Sequence, residues 1–289
     1  MKKVTVISGK GGTGKTTVTA NLAQLAGNLM LADCDVDAPN LKLLLKAVTK
    51  DQDNFQGAQL AVKDESRCIE CGLCYQVCRF EAVAADFSIN RFKCEGCKLC
   101  VEKCPTGALQ LVKQITGDIF QAETEFGPLV HASLRVGSDN SGKLVSEVRS
   151  QAAKLAAESQ KELLLIDGSP GIGCPVIASL TGVDAALIVT EATQSGLADL
   201  KRLLQVITHF KLTALIVINK FDLNEELTAA IIDFCQQQGH QVIGKIPFDS
   251  TVVAALHDQQ LLSDYQPESK AFLALEEIWQ QLKAILELS

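Results

Sequence analysis

Two patterns in the 289-residue chain carry residue types that do chemistry. The first is Gly9-Lys10-Gly11-Gly12-Thr13-Gly14-Lys15-Thr16-Thr17, which satisfies G-x-x-x-x-G-K-S/T. Its glycines let backbone N–H groups converge on phosphate oxygens, and the N-terminus of a following helix adds a positive dipole end. Lys15 is then placed to reach the β and γ phosphates, and Thr16 to ligate Mg²⁺. The second is Cys68-x2-Cys71-x2-Cys74-x3-Cys78, followed by Cys94-x2-Cys97-x2-Cys100-x3-Cys104-Pro105. Only Cys34, Cys174 and Cys235 of the eleven cysteines fall outside it. Such clustering suits metal ligation in a reducing compartment better than disulfides, with iron–sulfur and zinc chemistry as the alternatives.

The surrounding elements must position these groups. "KKVTVISG" is a β-branched apolar run that ends at the phosphate loop, and "TTVTANLAQLAG" after it has helical spacing. "NLMLADCDVDAPNL", "ELLLIDGSPG", "AALIVTEA", "TALIVINKFD" and "QVIGKIPFD" repeat the theme of a short buried strand, turn residues and, mostly, an amphipathic segment. Strands alternating with helices predict an α/β fold with a mostly parallel sheet covered on both faces. A helix is expected from about Gly196 to Lys211, burying Leu197, Leu200, Leu203, Leu204, Ile207 and Phe210. Others are expected near Leu144 to Glu158 and from Glu225 to Gln238, the latter closed by Gly239. Between Gly57 and Ile115 this rhythm gives way to the cysteine-rich stretch, which reads as an insertion. The predicted division is 1–56 with 116–289, and 57–115. The stretch from Thr116 to Val145 reads only as strands and connections.

The net charge of −7, without a basic run, speaks against nucleic acid as a partner. No apolar run reaches membrane-spanning length, and the start lacks a signal-peptide pattern, so a cytoplasmic protein with no membrane partner is expected.

The second lysine of the loop, Lys10, resembles the signature of the deviant Walker A motif in MinD/ParA-type P-loop ATPases, a group that includes the nitrogenase iron protein and Mrp-type iron–sulfur carriers. The resemblance implies ATP and Mg²⁺ as ligands and a homodimer through the nucleotide face. It also implies that Lys10 crosses to the partner's nucleotide, as an arginine finger does. Carried over residue by residue, it makes Asp35 the switch residue that orients water, with Asp37 a second candidate. Asp33 ends its strand, where an acidic side chain caps the turn. Asp167 becomes the carboxylate that holds Mg²⁺ through water, and Gly168 to Gly173 the second switch. Asn219, Pro247 and Asp249 become purine contacts. "NKFD" also matches the guanine-binding string, so GTP is the alternative nucleotide.

The cysteine register resembles bacterial two-cluster ferredoxins, which implies an inserted α+β ferredoxin-like domain with two 4Fe-4S clusters. On that pattern Cys68, Cys71, Cys74 and Cys104 hold one cluster, and Cys94, Cys97, Cys100 and Cys78 the other. Arg79 stands where the pattern often has proline, which bears on hydrogen bonding and charge near one cluster. Cys174 resembles in spacing the bridging-cluster cysteine of the nitrogenase iron protein. No second cysteine lies near "VGSDNSGKLV", so Cys174 reads first as a small packing group in the switch. The resemblance as a whole implies an ATP-hydrolysing dimeric switch coupled to electron transfer toward an unknown redox partner. An iron–sulfur or metallocofactor assembly factor, and a MinD-like positioning ATPase with a redox-sensing module, are the alternatives. The C-terminal amphipathic segment is acidic and is expected to pack on the domain through Trp279 and Leu282. His131, His209, His240 and His257 show no metal spacing.

Overall fold

β1 (Lys2–Ser8) takes a central place in the sheet, with β8 (Leu163–Pro170) on one side and β9 (Ala185–Glu191) on the other, both parallel to it. The computed structural model describes residues 1–138 and 141–288. After β1 come α1 (Lys15–Ala26), β2 (Met30–Asp33), α2 (Leu41–Leu44), β3 (Val48–Phe55) and β4 (Ala58–Lys63). Two short helices, α3 (Leu73–Val77) and α4 (Leu99–Lys103), lead to β5 (Leu109–Gln114), β6 (Gly117–Thr124) and β7 (Gly127–Leu134). Then α5 (Ser141–Glu158) precedes β8, and α6 (Cys174–Leu180) joins β8 to β9. The chain continues through α7 (Gln194–His209), β10 (Thr213–Asn219), α8 (Glu225–Gln237) and β11 (Gln241–Ile246) to α9 (Ser250–His257), α10 (Leu262–Tyr265) and α11 (Lys270–Leu286).

The large sheet runs β11-β10-β9-β1-β8-β2-β7-β6-β3. Its central strands bury both faces, which is why they read as unbroken apolar runs. Alternation persists within them: Val4, Val6, Leu187 and Val189 join the core under α1 and α11, while Ile7, Ala186 and Ile188 join the one under α6, α7 and α8. The parallel pairs send the C-terminal ends of β1, β2, β8, β9 and β10 to one edge, where ligands bind in open α/β sheets.

Trp279 and Leu282 of α11 are buried, as the amphipathic pattern predicts. α7 starts at its cap Thr193, whose hydroxyl accepts from Gly196 N, and buries Leu200, Leu203, Leu204 and Ile207. Phe210 is a correction: the helix ends at His209, so this ring leaves the packing face and is 36% exposed. The stretch after Thr116 resolves into β6 and β7, adjacent strands joined through Glu125 and Phe126, and then α5. Among the described residues no helix is long and apolar enough to cross a membrane.

The chain folds as two units. One comprises Met1–Gln52, Ile119–Ser133 and the chain from Ser141 onward; the other comprises Asp53–Asp118 and the segment beginning at Leu134. In the second unit β4 and β5 pair antiparallel from Ala58↔Gln114 to Lys63↔Leu109. Its two ends are clasped, with Thr116 N donating to Phe55 O at 2.9 Å and Gly57 N to Thr116 Oγ1 at 3.1 Å.

His131 on β7 is buried, stacks on Phe120 with ring centroids 4.8 Å apart, and has no hydrogen-bond partner on either nitrogen among the described residues. Burial, and then the Lys42 ammonium, push its pKa down to about 4. The folded chain thus keeps the ring neutral where the unfolded chain would protonate it, so stability is full above about pH 6.5 and falls as the pH drops toward 4. Urea unfolding should show a loss of about 2 kcal/mol between about pH 8 and pH 5 that His131→Phe removes. Equal slopes in the two proteins would rule the histidine out as the source.

Candidate functional site

The phosphate loop links β1 to α1, and its last glycine shows why the sequence must be glycine there. Gly14 caps α1 with φ +91°, and a Cβ would lie 2.5 Å from Asn219 Nδ2. That amide instead donates to Thr13 O at 2.8 Å, tying the loop to the end of β10. A side chain at Gly11 or Gly12 would meet nothing within 4 Å, so the loop lies open over these residues. The buried Thr13 hydroxyl has no partner among the described residues. An open, glycine-lined cradle with an orphaned hydroxyl fits a bound phosphate chain.

Below the loop, Asp167, in β8 three residues before the strand ends, accepts from three donors among the described residues. Lys15 Nζ lies 2.8 Å and Thr19 Oγ1 2.9 Å from Oδ1, and Thr16 Oγ1 lies 2.7 Å from Oδ2. Asp35 Oδ2 is 3.9 Å from Lys15 Nζ. Asp33, in register with Asp167 on the neighbouring strand, accepts from Asp35 N at 3.0 Å and Leu41 N at 3.1 Å, so it holds the loop that carries Asp35. Burial, and next the Asp167 charge, raise the Asp33 carboxyl to about 8. Burial also raises Asp35, against the pull of Lys15. With Asp33 held mostly protonated at neutral pH, one buried lysine facing Asp167 and Asp35 still leaves negative charge that a divalent cation would balance. Asp37 is exposed.

Lys10, in the first half of the loop, rests on its own chain. Nζ lies 3.3 Å from Glu191 Oε2 and 3.2 Å from Ser195 Oγ, and Glu191 also takes Lys220 Nζ at 2.7 Å. The sequence reading missed Glu191, Ser195 and Thr19. The stretch from Gly168 to Gly173 is anchored by Gly171 N to Ser8 O at 2.8 Å and by Ser169 Oγ to Cys34 O at 2.6 Å. Cys174 opens α6 and is exposed. α6 is held at its far end by Arg149 of α5, which donates to Ala178 O and Thr181 O.

Of the proposed purine contacts, only Asn219 touches the loop directly. Asp249 spends one oxygen on Thr251 N at the cap of α9 and the other on Ala271 N, and Pro247 is half-buried. Asp222 accepts from Phe248 N at 2.6 Å. The side chain of Thr17 is half-buried beside the loop, and its carbonyl accepts from Asn21.

The chain matches the model of the CobQ/CobB/MinD/ParA nucleotide-binding domain over residues 4–262. It belongs to this family of P-loop ATPases. It is 35% identical to an uncharacterized protein of Methanocaldococcus jannaschii, covering 98% of this chain and 97% of that one. Its fold is similar to that of the septum site-determining protein MinD of Pyrococcus horikoshii, solved with Mg-ADP. That likeness has a TM-score of 0.61 at 19% identity and covers 98% and 96% of the two chains. Over 57 residues, 18% of this chain and 66% of the relative, it is 32% identical to the pyruvate synthase subunit PorD of Methanocaldococcus jannaschii.

The second unit carries the cysteines of the repeated pattern. One cavity is lined by Cys68, Cys71, Cys74 and Cys104, and a second by Cys78, Cys94, Cys97 and Cys100. Apolar side chains such as Leu73 and Leu109 complete the first, Val83 and Leu111 the second. The two-residue spacers need tight turns: Gly96 has φ +59°, and a Cβ there would collide with the Gln59 carbonyl. Ala82 N donates to Cys78 Sγ at 3.4 Å and Ala108 N to Cys104 Sγ at 3.3 Å. Burial pushes the Cys104 thiol up, but hydrogen bonds from Thr106 and nearby backbone outweigh it and leave the pKa low. Among the described residues, no three or more His, Cys, Asp or Glu side chains gather as they would around one metal ion. Four thiols spread around a cavity fit the larger cube of a cluster better than zinc, which draws its ligands in to about 2.3 Å.

Proposed function

We propose that the chain is a homodimeric, ATP-hydrolysing switch whose nucleotide state is coupled to electron transfer through two 4Fe-4S clusters. The observation that carries this reading is the sorting of eight cysteines into two four-cysteine cavities in a chain that also holds the Lys15–Asp167–Thr16 constellation. Lys15 binds the β and γ phosphates, Thr16 and Asp167 hold Mg²⁺, directly and through water, and Asp35 orients the attacking water. Lys10 leaves Glu191 to complete the partner's site. Bound Mg²⁺ would neutralise phosphate charge, and the clusters would carry single electrons.

ATP is favoured over GTP because Asp222, the acidic end of "NKFD", already spends an oxygen on Phe248 N. Asn219 and Pro247 remain the purine-side candidates, with Asp249 fixing the loop between them and α9. The partial likeness to a pyruvate synthase subunit favours an unknown redox partner over a positioning role. The likeness to MinD favours a second reading, a positioning ATPase whose cysteine unit is a redox-sensitive docking surface.

A redox titration with EPR of anaerobically purified protein tests the coupling. Cluster potential or line shape should differ between Mg-ADP and a non-hydrolysable ATP analogue, and reduction should then alter nucleotide affinity by the same factor. Identical titrations would sink the coupling and leave the assembly and positioning readings.

A further inference from the structure

Asp167 has three donors, and the proposed reaction removes two of them. This inference rests on the reading above, in which Lys15 turns to phosphate and Thr16 to Mg²⁺. The third donor is Thr19, one helical turn beyond Lys15 on α1. Its side chain and that of Asp167 are fully buried, so water does not substitute for the bond between them. The Thr19 hydroxyl has one proton and two acceptors within reach, Lys15 O at 3.0 Å and Asp167 Oδ1 at 2.9 Å. A charged acceptor makes the stronger bond, so the carboxylate takes the proton. A hydroxyl that merely bonded back to its own helix would gain little there.

The two oxygens of Asp167 are divided in a way that fits this role. Lys15 and Thr19 hold Oδ1, and among the described residues Thr16 alone holds Oδ2. When Thr16 is recruited, Oδ2 is the oxygen set free, while Thr19 still pins Oδ1 to α1. We propose that Thr19 is a positioning residue for the Mg²⁺ site, fixing the Asp167 carboxylate after nucleotide has drawn Lys15 and Thr16 away. Partners of this kind, one step behind a metal's ligands, are worth about 10-fold to 100-fold in metal affinity.

The test is binding of a fluorescent ADP to the full chain, titrated with Mg²⁺ and repeated in EDTA. Thr19→Val keeps the shape and loses the hydroxyl; Thr19→Ala loses the hydroxyl without adding bulk, should valine strain the helix. Both should need about tenfold or more Mg²⁺ to reach half-maximal strengthening of ADP binding, with affinity in EDTA unchanged. Thr19→Ser should restore the wild-type Mg²⁺ dependence. A wild-type Mg²⁺ midpoint in a folded variant without the hydroxyl would overturn the proposal. So would an equal loss with and without Mg²⁺, the mark of a purely structural role. Asp167→Asn separates the two levels. If it raises the Mg²⁺ requirement while Thr19→Val does not, the inference about Thr19 fails alone. If neither changes it, the Mg²⁺ role of Asp167 fails first.

Discussion

Replacing Lys10 by alanine should lower ATP turnover about 10³-fold while leaving ADP affinity within about a factor of two. In the single protomer Lys10 is half-exposed and held by Glu191 and Ser195 of its own chain. Lys15, by contrast, is buried beneath the loop and bonded to Asp167. On the proposed function the two lysines divide the work: Lys15 would serve the nucleotide of its own protomer, and Lys10 that of a partner. The Lys10 end of its pair with Glu191 is 37% exposed while the glutamate is 12% exposed, so water already competes for the lysine and closure of a dimer can draw it away. Glu191 keeps its second lysine, Lys220, and is not left as a bare charge. Burial pushes the Glu191 carboxyl up, but the two lysines bring its pKa below the ordinary value, which keeps it charged and ready to take Lys10 back.

A cation supplied across an interface acts only where charge develops in the transition state, which is why turnover suffers and ground-state binding does not. The expected 10³-fold loss corresponds to about 4 kcal/mol of transition-state stabilisation. Phosphate release measures the turnover, calorimetry the ADP affinity, and sedimentation with an ATP analogue the dimer. Undiminished turnover by Lys10→Ala would remove the trans-acting lysine, and with it the reason for a dimer at this face. A parallel loss of ADP affinity would mean that Lys10 serves its own nucleotide.

How far these roles were legible in the sequence depended on how local they are. The loop, its helix and Lys15 follow one another within a few residues, so composition and order suffice. Asp167 could be found because it ends an apolar run, the position at which parallel strands deliver side chains to the site. Glu191 and Ser195 could not be found, because their contact with Lys10 depends on β9 lying beside β1 in the sheet. Thr19 did carry a faint signal: it is a hydroxyl four residues after Lys15, on the face of α1 that must point inward. A helical threonine on a buried face has too many bland explanations for that signal to be used alone.

The far half of the sheet shows the opposite failure. β3 reads Val-Thr-Lys-Asp-Gln-Asp-Asn-Phe, exposed along almost its whole length, and has no apolar alternation to mark it. It is a strand because it lies at the sheet's edge beside β6, and pairing can override weak propensity. β6 and β7 likewise alternate too irregularly to be read as elements in advance. Phe210 was misplaced for a smaller reason: the helical period was right, but α7 stopped one residue short of it.

The cysteine unit leads to the second large effect, because its own apolar core is small. Between Asp53 and Asp118 the buried apolar residues are Ala61, Ala82, Val83, Ala108 and Leu109, five small or medium side chains. A core of that size does not offset the entropy of ordering some sixty residues, and small units of this kind are held by disulfides or metal. The cavities also make a crossed prediction. Cys104 belongs by sequence to the second motif but lines the cavity of the first, and Cys78 does the reverse. If each cavity holds a 4Fe-4S cluster, the anaerobically purified chain should carry about eight irons. The double variant C71S/C104S should then lose one cluster and keep about four irons, because both changes fall on the same cavity. The double variant C97S/C104S should lose both and keep almost none. Iron and acid-labile sulfide per chain read the outcome directly. Equal losses in the two variants would break the crossed assignment, and stoichiometric zinc in place of iron would remove the clusters and the electron-transfer reading with them. C174S should leave the iron count unchanged, since Cys174 lines neither cavity and stands exposed at the start of α6.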